Sequence, residues 1–225
     1  MTTEQRVAGV SVPTGRIVDL SHPLLPGKER YTVEIAHRRD RTTPTTKMQD
    51  AIYMRSHAGT HVEAPLHYWA EGADVSKLPL EAFVGTAIVL DFHEKGLREE
   101  ISLDEIRAAG DVQVGDRVLL RVGADRLYRT DDALQGSYPS VEACRWLVED
   151  RKIRLLGTDN GNFDLSGEKQ SPNHDLLLKQ AGIPVIECLN NLGALTQQRV
   201  FFVAVPLPIK GVDASPIRAF AIEAE

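Results

Sequence analysis

What most constrains the fold of this chain is a succession of short apolar or alternating runs, each of strand length, set between turn-forming residues. Such runs span residues 16–20, 31–36, 49–56, 85–92, 116–122, 153–159, 184–189, 200–205 and 217–222. Few helices fall among them. Ser102-Leu103-Asp104-Glu105 has capping-box spacing and opens a helix that Gly110 ends. Further helices are predicted from Ser140 to about Glu149 and after Pro172, and residues 78–83 read as a short helix or turn. Strands that outnumber helices yet interleave with them predict an α/β fold, a mixed β-sheet with helices packed against it. Residues 1–15 read as a frayed lead-in, and 24–30 and 40–46 as loops, the second at a site mouth.

The 225 residues fit one domain, 1–225, without repeat, linker or low-complexity segment. A hydrophobic share of 42% and a charged share of 26% are globular values, and they exclude a disordered or fibrous chain. The net charge of −6, with no basic run, gives no electrostatic footprint for nucleic acid or anionic lipid, so a small-molecule partner is expected. No window approaches the ~20 apolar residues of a membrane span, and Met1 to Arg6 lacks the apolar core of a secretory signal. A cytoplasmic protein is the expectation. Cys144 and Cys188 form no CxxC pair and read as buried free thiols.

Chemistry concentrates in residues 57–67, where three of the seven histidines and a carboxylate stand at odd positions: His57, His61, Glu63 and His67. In extended backbone, residues two apart share a face, so these four would line one side while Ala58, Thr60, Val62, Ala64 and Leu66 pack on the other. A helix pairing His57 with His61 is disfavoured by Gly59 between them and Pro65 beyond. Imidazoles and a carboxylate on one face suit zinc, manganese or ferrous iron. Two further ligand candidates are His174, at the opening of a helix, and Glu187, the one acid in an apolar strand, which a cation or strong donor must meet if it is buried. Asp159, at the end of a buried strand, is expected to cap a turn or orient a ligand. No GxGxxG or GxxxxGK[ST] loop supports nucleotide binding, and no GxSxG elbow supports a serine nucleophile.

The string His57-x-Gly59-Thr60-His61-x-Glu63-x-Pro65-x-His67 carries a resemblance, with Val18-Asp19-Leu20-Ser21-His22-Pro23 before it and Gly157-Thr158-Asp159, His174 and Ile186-Glu187-x-Leu189-x-Asn191-Leu192 after it. The chain resembles the cyclase or kynurenine formamidase family of metal-dependent hydrolases, to which isatin hydrolase belongs. The resemblance implies a swivelling-domain-type α/β fold and one or two divalent ions per chain, zinc or manganese. His57, His61 and Glu63 would hold the first ion, Glu63, His174 and Glu187 a second, and His67 would transfer protons. It also implies a homodimer or homotetramer whose neighbouring subunits close the site. The reaction implied is hydrolysis of a small amide, lactam or arylformamide at its C–N bond by metal-activated water.

The family's usual acid at position 63 is aspartate. The extra methylene of Glu63 moves the carboxylate by roughly 1 to 1.5 Å. That leaves three alternatives open: a compensating backbone, a single ion, or an altered activity, including a metal-containing small-molecule binding protein without turnover. Substrate choice is expected to lie in the loops of residues 22–46 and in Tyr68, with Trp69 read as core.

Overall fold

The computed structural model describes residues 4–7, 10–40 and 47–224, apart from the side chains at 4–7, 10–13, 38–40 and 47–49. Its frame is a nine-stranded sheet, in spatial order β14 (Ala214–Pro216), β6 (His61–Glu63), β12 (Val185–Glu187), β11 (Leu155–Thr158), β9 (Arg117–Arg121), β7 (Val84–Asp91), β13 (Arg199–Val203), β15 (Phe220–Ala224) and β3 (Gly15–Asp19). The central strands β7, β9, β11 and β12 run parallel, as expected of apolar runs buried on both faces, and antiparallel strands flank them on either side. The sheet is therefore mixed.

Alternate residues of the central strands feed two cores. Ile88, Leu90, Val118, Leu120, Leu156 and Val185 face a helical layer made by α1 (Leu103–Ala109), α2 (Val141–Glu149), and α3 (Pro172–His174), which runs on into a π-helical turn, Asp175–Gln180. The predicted capping box is present at α1: Ser102 Oγ accepts from the Glu105 N–H, and the Glu105 carboxylate accepts from the Ser102 N–H. On the other face Val62, Val89, Leu119, Ile186 and Phe202 meet Val18 of the far edge strand and Leu20 just beyond it, with Phe83 fully buried among them. Strands from opposite ends of the sheet share this core because the sheet curls. Beyond β3, Ser21 bridges to Leu189, which follows β12.

Three small ribbons lie outside the main sheet: β1 (Glu4–Val7) with β2 (Val10–Pro13), β4 (Val33–Asp40) with β5 (Lys47–Met54), and the short parallel pair β8 (Glu100–Ile101) with β10 (Tyr138–Pro139). The lead-in expected at residues 1–15 is thus partly an antiparallel hairpin, since Glu4 to Val7 find ladder partners in Val10 to Pro13. The loop expected at 40–46 falls, from residue 41, outside the described residues. Among the described residues no helix is long and apolar enough to cross a membrane.

Candidate metal centre

Four stretches far apart in sequence converge beside the edge of the curled sheet. Residues 57–67 do not form the single extended face expected of them. Ala58 closes a turn onto the Arg55 carbonyl, and Gly59 adopts φ +71°, a left-handed conformation that glycine accepts readily. This turn presents His57. The chain then enters β6, whose period of two places His61 and Glu63 on one face. Pro65 starts a 3₁₀ turn, Pro65–His67, that brings His67 round beside them. Antiparallel pairing of β6 with β12 sets Glu187 directly opposite His61.

His174 reaches the same place from α3. Asp164 anchors that helix start, accepting the N–H groups of Asn173 (2.8 Å) and His174 (3.2 Å). On the other side of β6, Ala64 donates its N–H to the Asp213 carbonyl at the entry to β14, which fixes Asp213 beside His57 and His67.

The ring nitrogens and carboxylate oxygens form two overlapping groups. In the first, His57 Nδ1 lies 2.9 Å from Glu63 Oε1 and 3.2 Å from His61 Nε2, and His61 Nε2 lies 3.5 Å from Glu63 Oε1. In the second, His174 Nε2 lies 3.2 Å from Glu187 Oε1 and 3.5 Å from Glu63 Oε2. Glu63 offers one oxygen to each. Its side chain spans the space between the groups, with Oε1 toward His57 and Oε2 toward His174.

Each outer nitrogen is tied to an acceptor, which decides what the inner one can do. His61 Nδ1 faces the Gly59 carbonyl at 2.9 Å, so it donates there and turns the lone pair of Nε2 inward. His57 Nε2 donates to Asp213 at 3.0 Å, and His174 Nδ1 donates to Asp164. Burial opposes charge on His57, but Glu63 and Asp213 outweigh it and push the imidazole up to about 9. His174 is likewise held well above the ordinary imidazole range against burial by Asp164, Glu187 and Glu63. The Glu63 carboxyl, despite its burial, is held well below the usual carboxylate range by His174, His57 and His61. Asp213 is lowered too, against burial, by His57 and His67.

These residues fit a divalent ion. Glu63 Oε2 is buried without a hydrogen-bond partner, an expensive state that a cation relieves. The donor set of imidazole nitrogens and carboxylate oxygens suits divalent ions such as zinc, manganese and ferrous iron. Ligand atoms sharing such an ion at ~2.0–2.2 Å stand about 3–3.6 Å apart, close to the separations within each group. The structure thus brings together His57, His61, Glu63, His67, His174 and Glu187, all of the residues that the sequence singled out as ligands or proton carrier.

Asp213 and Asp164 were not singled out. Each lies in a loop without periodicity, and its one sequence signal is an acid beside a turn or strand end. Asp159 stands apart from the cluster. It accepts the N–H groups of Val122 (2.8 Å) and Gly123 (3.0 Å), the turn-capping role expected of it, and burial pushes its carboxyl up to about 7.

The cluster floors a cleft of 440 Å³ whose walls include Arg30, Tyr31, Tyr68 and Tyr128. Tyr68 stacks on the His174 ring at 5.0 Å and 14°. Trp69, expected in the core, is 42% exposed and lies outside the cleft walls, because the turn after His67 carries it outward. Cys144 is buried, whereas Cys188 is half-buried and lines the cleft; both are free thiols.

Comparison with known proteins places this geometry in context. The family model Cyclase, described as "Putative cyclase", matches residues 18–165. The chain is 27% identical to the kynurenine formamidase of Paracidovorax citrulli, over 97% of each chain. It is 29% identical to that of Erythrobacter litoralis, over 92% of this chain and 94% of the other. Among solved structures, isatin hydrolase A from Labrenzia aggregata bound to benzyl benzoate superposes with a TM-score of 0.80 at 30% identity, covering 93% of this chain and 94% of that one.

Proposed function

The chain belongs to the Cyclase family, and from that premise we propose that it hydrolyses the C–N bond of a small aryl amide, formamide or lactam with metal-activated water. The observation that carries this reading is the carboxylate of Glu63, shared between two nitrogen and oxygen groups with one of its buried oxygens lacking a hydrogen bond. His57, His61 and Glu63 would hold one ion, and Glu63, His174 and Glu187 a second. A divalent ion in such a site supplies hydroxide near neutral pH and polarises the carbonyl.

The chain's own residues supply the rest. His67 is the proton carrier: its Nε2 points toward the cluster, 3.8 Å from Glu63 Oε1, and is close enough to take a proton from water bound there and return it to the departing nitrogen. Tyr31 and Tyr68 put aromatic surface in the cleft wall, which suits a flat ring. Arg30 and Arg55 lie over the Tyr31 ring at 5.8 and 5.7 Å and form no ion pair among the described residues, which suits an anionic substituent. The ribbon β4–β5, paired with no other strand among the described residues, supports a homodimer in which it packs on a second copy.

The test is turnover of formylkynurenine and of isatin by protein loaded with zinc or manganese, before and after chelation. Turnover lost on chelation and restored by the ion is the expected result. Bound metal with no turnover of either compound would favour the binding-protein reading.

A further inference from the structure

One carboxylate in the cleft lies outside the two ligand groups and, partly exposed, clusters with His57 and His67. Asp213 Oδ2 receives two donors at once, His57 Nε2 at 3.0 Å and His67 Nδ1 at 2.9 Å, while its Oδ1 accepts the Ser56 hydroxyl at 3.0 Å. Its backbone is fixed by the β6–β14 ladder, where Ala214 pairs with Glu63. On the Nε2 side of His67, Glu63 Oε1 lies 3.8 Å away, beyond hydrogen-bond reach. Nothing else among the described residues sets which nitrogen of His67 carries the proton.

We infer that Asp213 is a positioning residue that fixes His67 as the tautomer protonated at Nδ1, leaving Nε2 as the base, and that ties this base to the ligand His57 through one shared oxygen. The inference rests on the proton-carrier role given to His67 above. In the step it serves, Nε2 takes a proton from water as the hydroxyl oxygen bonds to the carbonyl carbon. The same proton passes to the amide nitrogen as the C–N bond breaks. His67 begins and ends neutral, and Asp213 stays ionised, facing the transient imidazolium. Holding both rings on one oxygen also keeps them in register: their centroids are 4.5 Å apart, so a shift of the ligand would carry the base with it.

The test uses the full chain loaded with saturating zinc. In wild type, nitrogen-15 histidine NMR should show His67 protonated at Nδ1 and bare at Nε2. In Asp213→Ala the two tautomers should mix, and kcat should fall by about 100-fold while KM changes by less than about threefold. In the His67→Ala background at saturating zinc, which keeps the His57 group filled, Asp213→Ala should cost far less than the roughly 100-fold it costs in wild type, since its effect on kcat acts through the ring already removed. Added formate should restore part of the kcat of Asp213→Ala, and if that variant does not fold, Asp213→Asn serves in its place. His67 protonated at Nε2 in wild type, or losses that multiply in the double variant, would overturn the inference. The tautomer is read without substrate, so a wild type that hydrolyses nothing counts against the hydrolase reading while the NMR still decides the role of Asp213.

Discussion

At His57 two carboxylates outweigh burial and hold a proton on the ring up to about pH 9 in the metal-free protein, in the place where its Nδ1 would face an ion. Metal and proton therefore compete. A native pKa raised above the ordinary value of 6.5 means that the metal-free folded state binds more protons than the unfolded one between pH 6.5 and about 9. Stability of the metal-free protein should fall as pH rises through that window. Metal affinity should do the reverse, tightening about tenfold per pH unit for each proton displaced and levelling off above about pH 9. Chelator competition at pH 7 and 8 measures this, and an affinity independent of pH would show that His57 is neutral in the empty site.

Asp164 allows a second test at the same scale, because among the ligand imidazoles it holds only His174. Asp164→Asn should weaken zinc at the His174 group by about 10- to 100-fold and leave the His57 group filled, so that metal per chain drops toward one under limiting zinc. The ligands themselves were legible in sequence, since imidazoles and an acid at spacings of two and four are rare enough to stand out. The acids behind them were not. Asp213 and Asp164 act from 146 and 10 residues away from the rings they hold, and a loop acid at such a separation looks like any solvated one.

Among elements, the most legible strands were those buried on both faces, while β4, β5, β13 and β15 showed as alternating or aromatic-rich runs. β7, β9 and β11 carry uninterrupted apolar runs because a helical layer and a curled core cover both their sides. β14 was not legible: it contains Pro216, which argues against a strand interior, and at the sheet edge that proline is tolerated. The alternation argument for residues 57–67 held only where the backbone is extended, in β6. His57 and His67 join the same side through a turn and a 3₁₀ turn, which periodicity does not encode.

The turn at Gly59 is the element on which the first group depends. A methyl added there would meet Leu24 Cδ2 at 2.5 Å, and φ +71° is itself unfavourable for any side chain. The same residue supplies the carbonyl that fixes the His61 tautomer. Gly59→Ala should therefore destabilise the protein by about 1–3 kcal/mol, read by denaturant unfolding, and weaken the first group more than the second. A variant with wild-type stability and metal content would show that the turn relaxes without disturbing the ligands.

For the whole molecule, the site acts as a tie between parts of the sheet that sequence keeps apart. The ligands come from the turn before β6, from β6 and β12, and from α3 in the helical layer, so an ion held by them opposes separation of the helices from the curled edge. Zinc at 100 times its Kd adds about 2.7 kcal/mol per site. For a chain of this size each kcal/mol is worth about 2–4 °C, so chelation should lower Tm by roughly 5–10 °C per ion lost. Calorimetry with and without chelator reads this, and an unchanged Tm on removal of the metal would mean that the ligands are preassembled by packing alone.

The ribbon β4–β5 sets the last requirement, because an isolated two-stranded hairpin is marginal in water unless an apolar face is covered. Ile35 and Ile52 sit opposite each other in its ladder, 40% and 62% exposed, with Tyr53 on the reverse face at 66%. The ribbon's base lies at the cleft, since Tyr31 and Arg55 flank the start of β4 and the end of β5 and line its wall. A second copy covering the isoleucines would bury apolar surface and hold the cleft wall in one step. Ile52→Glu should then convert a dimer to a monomer in sedimentation and raise KM more than it lowers kcat, because the groups that change the bond stay in place while the wall that holds the substrate loosens. A monomeric wild type, or a monomeric variant with unchanged KM, would separate the ribbon from the cleft and leave Arg30, Tyr31 and Arg55 to hold substrate from one chain alone.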